Sequence, residues 1–173
     1  FPNTWFAKLA PQGQFTNMQA VTDEVNLMLD PNADPYAAPA SDAAPSTFGA
    51  ADVADLNWVQ LMNAYSCTEC GRCTAECPAS QTGKKLSPRK IMMDTRDRLT
   101  EVGTALNKGE QPNANTLLDN YISREELWAC TSCNACVEAC PIAIDPLSII
   151  TDMRRYLVME QSAAPTELNN MMS

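Results

Sequence analysis

The sequence predicts a mainly α fold, with helices framing two copies of one cysteine-rich loop behind an extended N-terminal arm. Three observations predict it. Apolar residues recur at helical spacing along most of the chain, as Ile91, Leu99, Val102 and Leu106 do. The 52 residues between Cys77 and Cys130 read as helix, and no stretch alternates as a β-strand would. The two loops also repeat one order: helix, loop, Cys-Pro, helix.

Residues 1–54 read as arm and linker. Phe1, Trp5 and Phe6 lead the arm beside Lys8, and Pro2, Pro11 and Gly13 interrupt it. Such rings suit a membrane interface, or a staple onto the body. Met18, Val21, Val25 and Met28 give residues 17–29 a short amphipathic helix, which Asp30-Pro31 stops. Residues 32–52, rich in Ala, Pro, Ser and Asp, have little to bury.

The body is expected over residues 55–161. Trp58, Leu61, Met62 and Tyr65 share one face of a helix delivering the chain to Cys67. Ser87-Pro88 starts the next helix, with serine as N-cap and proline first inside; it should end before Gly109. A short helical turn is expected at 115–121. Ser123 and Glu126 form a capping box that opens a helix through Trp128. Asp145-Pro146 opens the last, to about Gln161, with Leu147, Ile150, Met153, Leu157 and Val158 available for burial. Residues 162–173 read as a flexible tail.

Between these helices lie the two runs. Cys67, Cys70, Cys73 and Cys77 precede Pro78, and Cys130, Cys133, Cys136 and Cys140 precede Pro141. Both are C-x2-C-x2-C-x3-C-P, the run that holds 4Fe–4S clusters in bacterial two-cluster ferredoxins. All eight cysteines fall inside them. Three thiolates two residues apart, on a curling loop, reach three irons of one cubane. The fourth is expected to lie already on an outgoing helix that points elsewhere, and in two-cluster proteins it ligates the other cluster. The expected sets are therefore Cys67, Cys70, Cys73 and Cys140 for one cluster, and Cys130, Cys133, Cys136 and Cys77 for the other. Crossed ligation would set the two clusters within tunnelling distance. Disulfides fit poorly, because each tight run competes with itself for partners. Zinc favours paired CxxC or Cys/His sets, and the chain has no histidine, so a zinc-stabilised interaction module is the weaker alternative.

A net charge of −9 argues against a nucleic-acid partner. No run of eighteen apolar residues and no signal peptide are visible. A start at Phe1 suggests a fragment or processed product. Thiolates that bind iron must stay reduced, which suits a cytoplasmic setting. Lys84, Lys85, Arg89, Lys90, Arg96 and Arg98 suggest a docking face for an acidic partner or anionic lipid, or a solvated helix face. Ala79, Ile142, Ile144, Tyr65 and Trp128 are candidates to keep water from the clusters.

On the stretches SCTECGRCTAECPA, GKKLSPRKIMMDTRDRL, ELWACTSCNACVEACP and DPLSIITDMRRYLVMEQSAAP, residues 55–161 resemble the α-helical ferredoxin domain of (Fe-S)-binding proteins related to heterodisulfide reductase. The resemblance implies a two-cluster electron relay. Its expected neighbours are a membrane haem b or quinone domain upstream and a CCG-type or flavoprotein redox partner, meeting at the cytoplasmic face of the inner membrane. The opening FPNTWFAKLAPQGQF is similar to the segment leaving the last helix of such a membrane domain. The chain has no paired-cysteine CCG motif and no G-x-G-x-x-G, so the resemblance implies a catalytic site on another chain and none of its own. A free soluble ferredoxin-like carrier is the alternative.

Overall fold

Side chains that cap helix N-termini decide where most helices begin. Ser87 accepts a hydrogen bond from the Lys90 N–H, with Pro88 at the first helical position. Asn57 with Gln60, and Ser123 with Glu126, close reciprocal capping boxes. Asp145 accepts from the Ser148 N–H, again with proline next. Each cap satisfies backbone donors that a helix start leaves open.

The computed structural model describes residues 19–31 and 47–172. Its helices are α1 Gln19–Leu29, α2 Trp58–Ser66, α3 Arg72–Ala75, α4 Pro78–Gln81, α5 Pro88–Asn107, α6 Arg124–Ala129, α7 Ala135–Glu138, α8 Pro146–Arg155 and α9 Thr166–Met172. Among the described residues no strand forms, and Leu118 with Ile122 makes an isolated bridge. The fold is mainly α, as expected. No helix among these residues is long and apolar enough to cross a membrane.

The packing follows the repeat. In the first copy α2 lies on α5, and in the second α6 lies on α8. The copies meet through matching parts, α5 against α8 and α3 against α7. Ile91 and Met92 of α5, Leu127 of α6, and Ile149, Ile150 and Met153 of α8 are fully buried where these helices join. Burying such side chains stabilises the fold by roughly 1.5–3 kcal/mol each.

Several elements differ from the sequence expectation. The face of α2 is rotated: Trp58 and Tyr65 are each 55% exposed, while Gln60, Asn63 and Ala64 are buried. A polar contact turns it, since Gln60 Nε2 donates to Asp152 Oδ2 of α8 at 2.6 Å. Residues 115–121 form no helix; Leu118 and Asp119 leave helical geometry, and Ile122 N–H closes a wide turn on the Leu117 carbonyl at 3.0 Å. The last helix does reach its expected end, α8 running on through a wider helical turn, Tyr156–Glu160, to a cap at Gln161. Part of the supposed tail is helical, as α9. Val25, Leu27, Met28 and Leu29 of α1 are exposed rather than buried on one face. The aromatic arm and residues 32–46 lie outside the described residues.

Residues 48–54, assigned by composition to the linker, supply Ala50 and Val53 to the core. Their backbone is stitched in, Ala50 N–H to the Asp152 carbonyl and Leu118 N–H to the Ala51 carbonyl, both at 3.0 Å. Gly49 makes this approach possible. It has φ +95°, and a Cβ there would sit 2.3 Å from the Tyr156 backbone nitrogen. Gly49→Ala is expected to destabilise the protein by roughly 1–3 kcal/mol from backbone strain alone, with proteolytic cutting near residue 50 preceding global melting. Unchanged melting and cutting would show that the segment merely drapes over the body.

Candidate metal centre

Each cysteine loop bends at two left-handed residues that flank its second cysteine. Glu69 (φ 57°) and Gly71 (φ 81°) surround Cys70, and Ser132 (φ 56°) and Asn134 (φ 63°) surround Cys133. Glycine and asparagine are among the residues that adopt this region most readily. Gly71 and Asn134 then cap α3 and α7, which carry Cys73 and Cys136. The repeat seen in the cysteines thus extends to the backbone.

The copies part after the fourth cysteine. Cys77 is the N-cap of α4, with Pro78 next. Cys140 instead leads into a turn through Ala143 (φ 58°), whose N–H returns to the Cys140 carbonyl at 3.2 Å. The expected helix directly after Cys-Pro therefore forms only in the first copy. Backbone N–H groups point at sulfur, among them Ile144 to Cys140 Sγ at 3.3 Å and Ser132 to Cys130 Sγ at 3.4 Å. Such bonds stabilise negative charge on sulfur.

Cys67, Cys70, Cys73 and Cys140 line one cavity, joined there by Cys136 of the second run and by Glu69 and Ile144. The Glu69 carboxylate is engaged by Arg96 at 2.6 Å. Five cysteines around one space, in a chain without histidine, fit thiolate-ligated iron–sulfur chemistry. Burial pushes the Cys73 thiol up, and charge at Cys67 and Cys140 adds to it against hydrogen bonding from Thr74. Cys136, 8% exposed, is pushed up to about 12 by burial first, then by charge at Cys130, Asp145, Cys77 and Cys73. Cys133 is exposed and drawn down, chiefly by the Ala135 N–H. Cys73 thus senses Cys140 from the other run, and Cys136 senses both Cys77 and Cys73.

Ala79 and Ile144 are buried, while Ile142 and Trp128 are half-buried. Tyr65 stands apart from the water-excluding role expected of it, its hydroxyl meeting Thr100 Oγ1 at 3.1 Å on the exposed side. Half of the basic cluster is committed within the fold, while Lys84, Lys85 and Arg89 are exposed. Arg98 is buried, and Lys90 meets Asp94 at 2.6 Å, Glu126 at 3.1 Å and the Tyr121 carbonyl at 2.8 Å. Sequence reading missed Arg154, which donates to the Leu127 and Cys130 carbonyls and lies 5.1 Å from the centroid of the Trp128 ring.

Residues 66–144 match the family model described as a 4Fe-4S dicluster domain. Residues 66–144 are a 4Fe-4S dicluster domain. It carries two 4Fe–4S clusters and all eight cysteines such a domain requires. Among relatives, a protein of Chromohalobacter salexigens named probable membrane-anchored ferredoxin is 34% identical over 139 residues, 72% of this chain and 21% of its own. An EtfAB:quinone oxidoreductase of Syntrophomonas wolfei is 33% identical over 142 residues, 70% of this chain and 20% of its own. One subunit of a ferredoxin/F(420)H(2)-dependent CoB-CoM heterodisulfide reductase of Methanosarcina acetivorans is 32% identical over 105 residues, 60% of this chain and 52% of its own. The dicluster chain therefore spans about a fifth of the first two and about half of the third. No solved structure matches it.

Proposed function

We propose that the dicluster domain relays single electrons between a membrane haem b or quinone subunit and a heterodisulfide-reductase-like or flavoprotein partner, at the cytoplasmic face of the membrane. In this reading Cys67, Cys70, Cys73 and Cys140 hold one cluster, and Cys130, Cys133, Cys136 and Cys77 hold the other. The observation that carries it is a cavity where Cys67, Cys70 and Cys73 of the first run meet Cys140 of the second, with Cys136 also on its wall. The membrane and quinone sides draw on the names of the Chromohalobacter and Syntrophomonas relatives, and the partner side on the Methanosarcina one. Each cluster, when bound, exchanges one electron at a time at a potential its surroundings set.

The chain's own part is to hold and tune. Contact between α3 and α7 brings the two loops together, and N–H donors at Cys130 and Cys140 favour charge on sulfur. Anaerobically prepared protein is expected to bind about eight irons and, reduced with dithionite, to show two interacting spins by EPR. Two zincs, or two spins with no interaction, would overturn the relay. Quinol added to membranes holding the native protein should reduce the clusters; reduction by soluble donors alone would remove the membrane half of the proposal.

A further inference from the structure

Both cysteine loops are gripped by an arginine at the same place in the repeat. Arg96 stands eight positions after Pro88, which opens α5, and Arg154 stands eight positions after Pro146, which opens α8. Each reaches the left-handed residue just before its loop's second cysteine. Arg96 Nη2 meets Glu69 Oε1 at 2.6 Å, and Arg154 Nη1 donates to Ser132 Oγ at 3.2 Å. The geometry repeats; the charge does not. Glu69 neutralises Arg96. Among the described residues, the acceptors of Arg154 are neutral: the Leu127 carbonyl at 2.5 and 3.0 Å, the Cys130 carbonyl at 2.5 Å, and Ser132. A guanidinium stays protonated in proteins, so a half-buried positive charge rests on the second loop.

We propose that Arg154 raises the reduction potential of the cluster in the Cys130 loop, and that Glu69 withholds the same influence of Arg96 from the cluster in the Cys67 loop. The two repeated sites would then differ in electron affinity. This rests on the cluster assignment above. An added electron brings negative charge, which a nearby fixed cation stabilises; net charge around a cluster is one determinant of its potential. An arginine paired at 2.6 Å is felt as a dipole, and its influence falls away faster. Three further charges face the site: Arg89 lines the first loop's cavity, the exposed Asp97 lies 3.6 Å from Arg96 Nε, and Asp145 acts on Cys136. None is altered in the test below, so the shifts report the exchanged partners alone.

The test exchanges the two partners. Ser132→Glu gives Arg154 the carboxylate that Arg96 already has, and Glu69→Ser removes it from Arg96. The backbone accommodates either residue, because Glu69 and Ser132 have φ of 57° and 56°. In EPR-monitored redox titrations of anaerobic holoprotein, Ser132→Glu is expected to lower one midpoint potential and leave the other in place. Glu69→Ser should raise the other, and the double variant should show both shifts. Arg154→Gln should lower the same component as Ser132→Glu, while Arg154→Lys, which keeps the charge, should leave it near the wild-type value. Shifts of the same component by both swaps, a rise with Ser132→Glu or a fall with Glu69→Ser, or no shift would overturn the proposal. If Ser132→Glu loses iron, the Arg154→Gln and Arg154→Lys pair decides alone. Failure of the underlying cluster assignment looks different, as iron well below eight or a missing second component in the unmodified protein.

Discussion

Cys140→Ser is expected to lower bound iron from about eight to about four per chain, and the iron lost is that of the first loop. The reason is spatial. Cys140 belongs to the second run, yet its side chain lines a cavity with Cys67, Cys70 and Cys73, where Cys136 is the other cysteine of its own run. Serine is close to cysteine in size but holds its proton far more tightly than a thiol, so it replaces the shape while losing the ligand. The fold should survive, since Cys140 is only half-buried and its turn is held by the backbone bond from Ala143. Cys77→Ser is the mirror experiment and should empty the second loop. Residual EPR spectra decide the matter. Cys140→Ser should leave the same component as Cys70→Ser, and Cys77→Ser the same as Cys133→Ser. If Cys140→Ser instead resembles Cys133→Ser, each run serves its own cluster and the crossing is wrong.

Much of this site can be read from spacing because its determinants are local. The two cysteine runs fix which sulfurs share a loop, and caps such as Ser87 and Ser123 act within three residues of themselves. Helix starts are therefore legible, and so is the mainly α class. What spacing does not show is which side of a helix faces inward when a distant polar partner competes with apolar burial. On α2 the Gln60 contact with Asp152 spans 92 positions and turns Trp58 and Tyr65 outward. The same holds for residues 48–54, whose composition is that of a linker. Their order comes from backbone bonds to Asp152 and Leu118 and from a close approach that only a glycine at position 49 permits.

The basic residues make the point most sharply. By sequence, six cations within fifteen positions suggest one exposed face. The fold divides them: Arg96 clamps a cluster loop, Lys90 joins α5 to α6, and Arg98 enters the core. One signal for the clamp is present in the sequence. Pro88 and Pro146 are each followed eight positions later by arginine, a correspondence that shows only when the repeat is extended beyond the cysteines into the helices behind them.

Arg98→Met is expected to destabilise the protein by about 3–5 kcal/mol, the range for breaking a buried ion pair by removing one partner. Arg98 is 1% exposed on α5. Its guanidinium meets Asp52 at 2.8 and 3.0 Å, Glu101 at 3.0 Å and Asn113 Oδ1 at 2.5 Å, and it also donates to the Asn115 carbonyl. Asp52 in turn accepts from the Leu117 N–H at 3.1 Å. One side chain thus ties together the 48–56 segment, α5 and the 113–117 turn. Asp52 first, then Glu101, holds the arginine charged far above its ordinary range, so it stays cationic at any pH the fold survives. Methionine fills much of the volume but leaves the Asp52 carboxylate and the Asn115 carbonyl without their donor. Lysine should rescue little, because one ammonium cannot serve acceptors spread around a planar fork. The thermal midpoint of anaerobic holoprotein should fall by about 10 °C or more. Adding Asp52→Asn to Arg98→Met should recover part of the loss by removing the stranded charge. A midpoint within about 2 °C of the unmodified protein would mean that apolar packing alone holds these three segments.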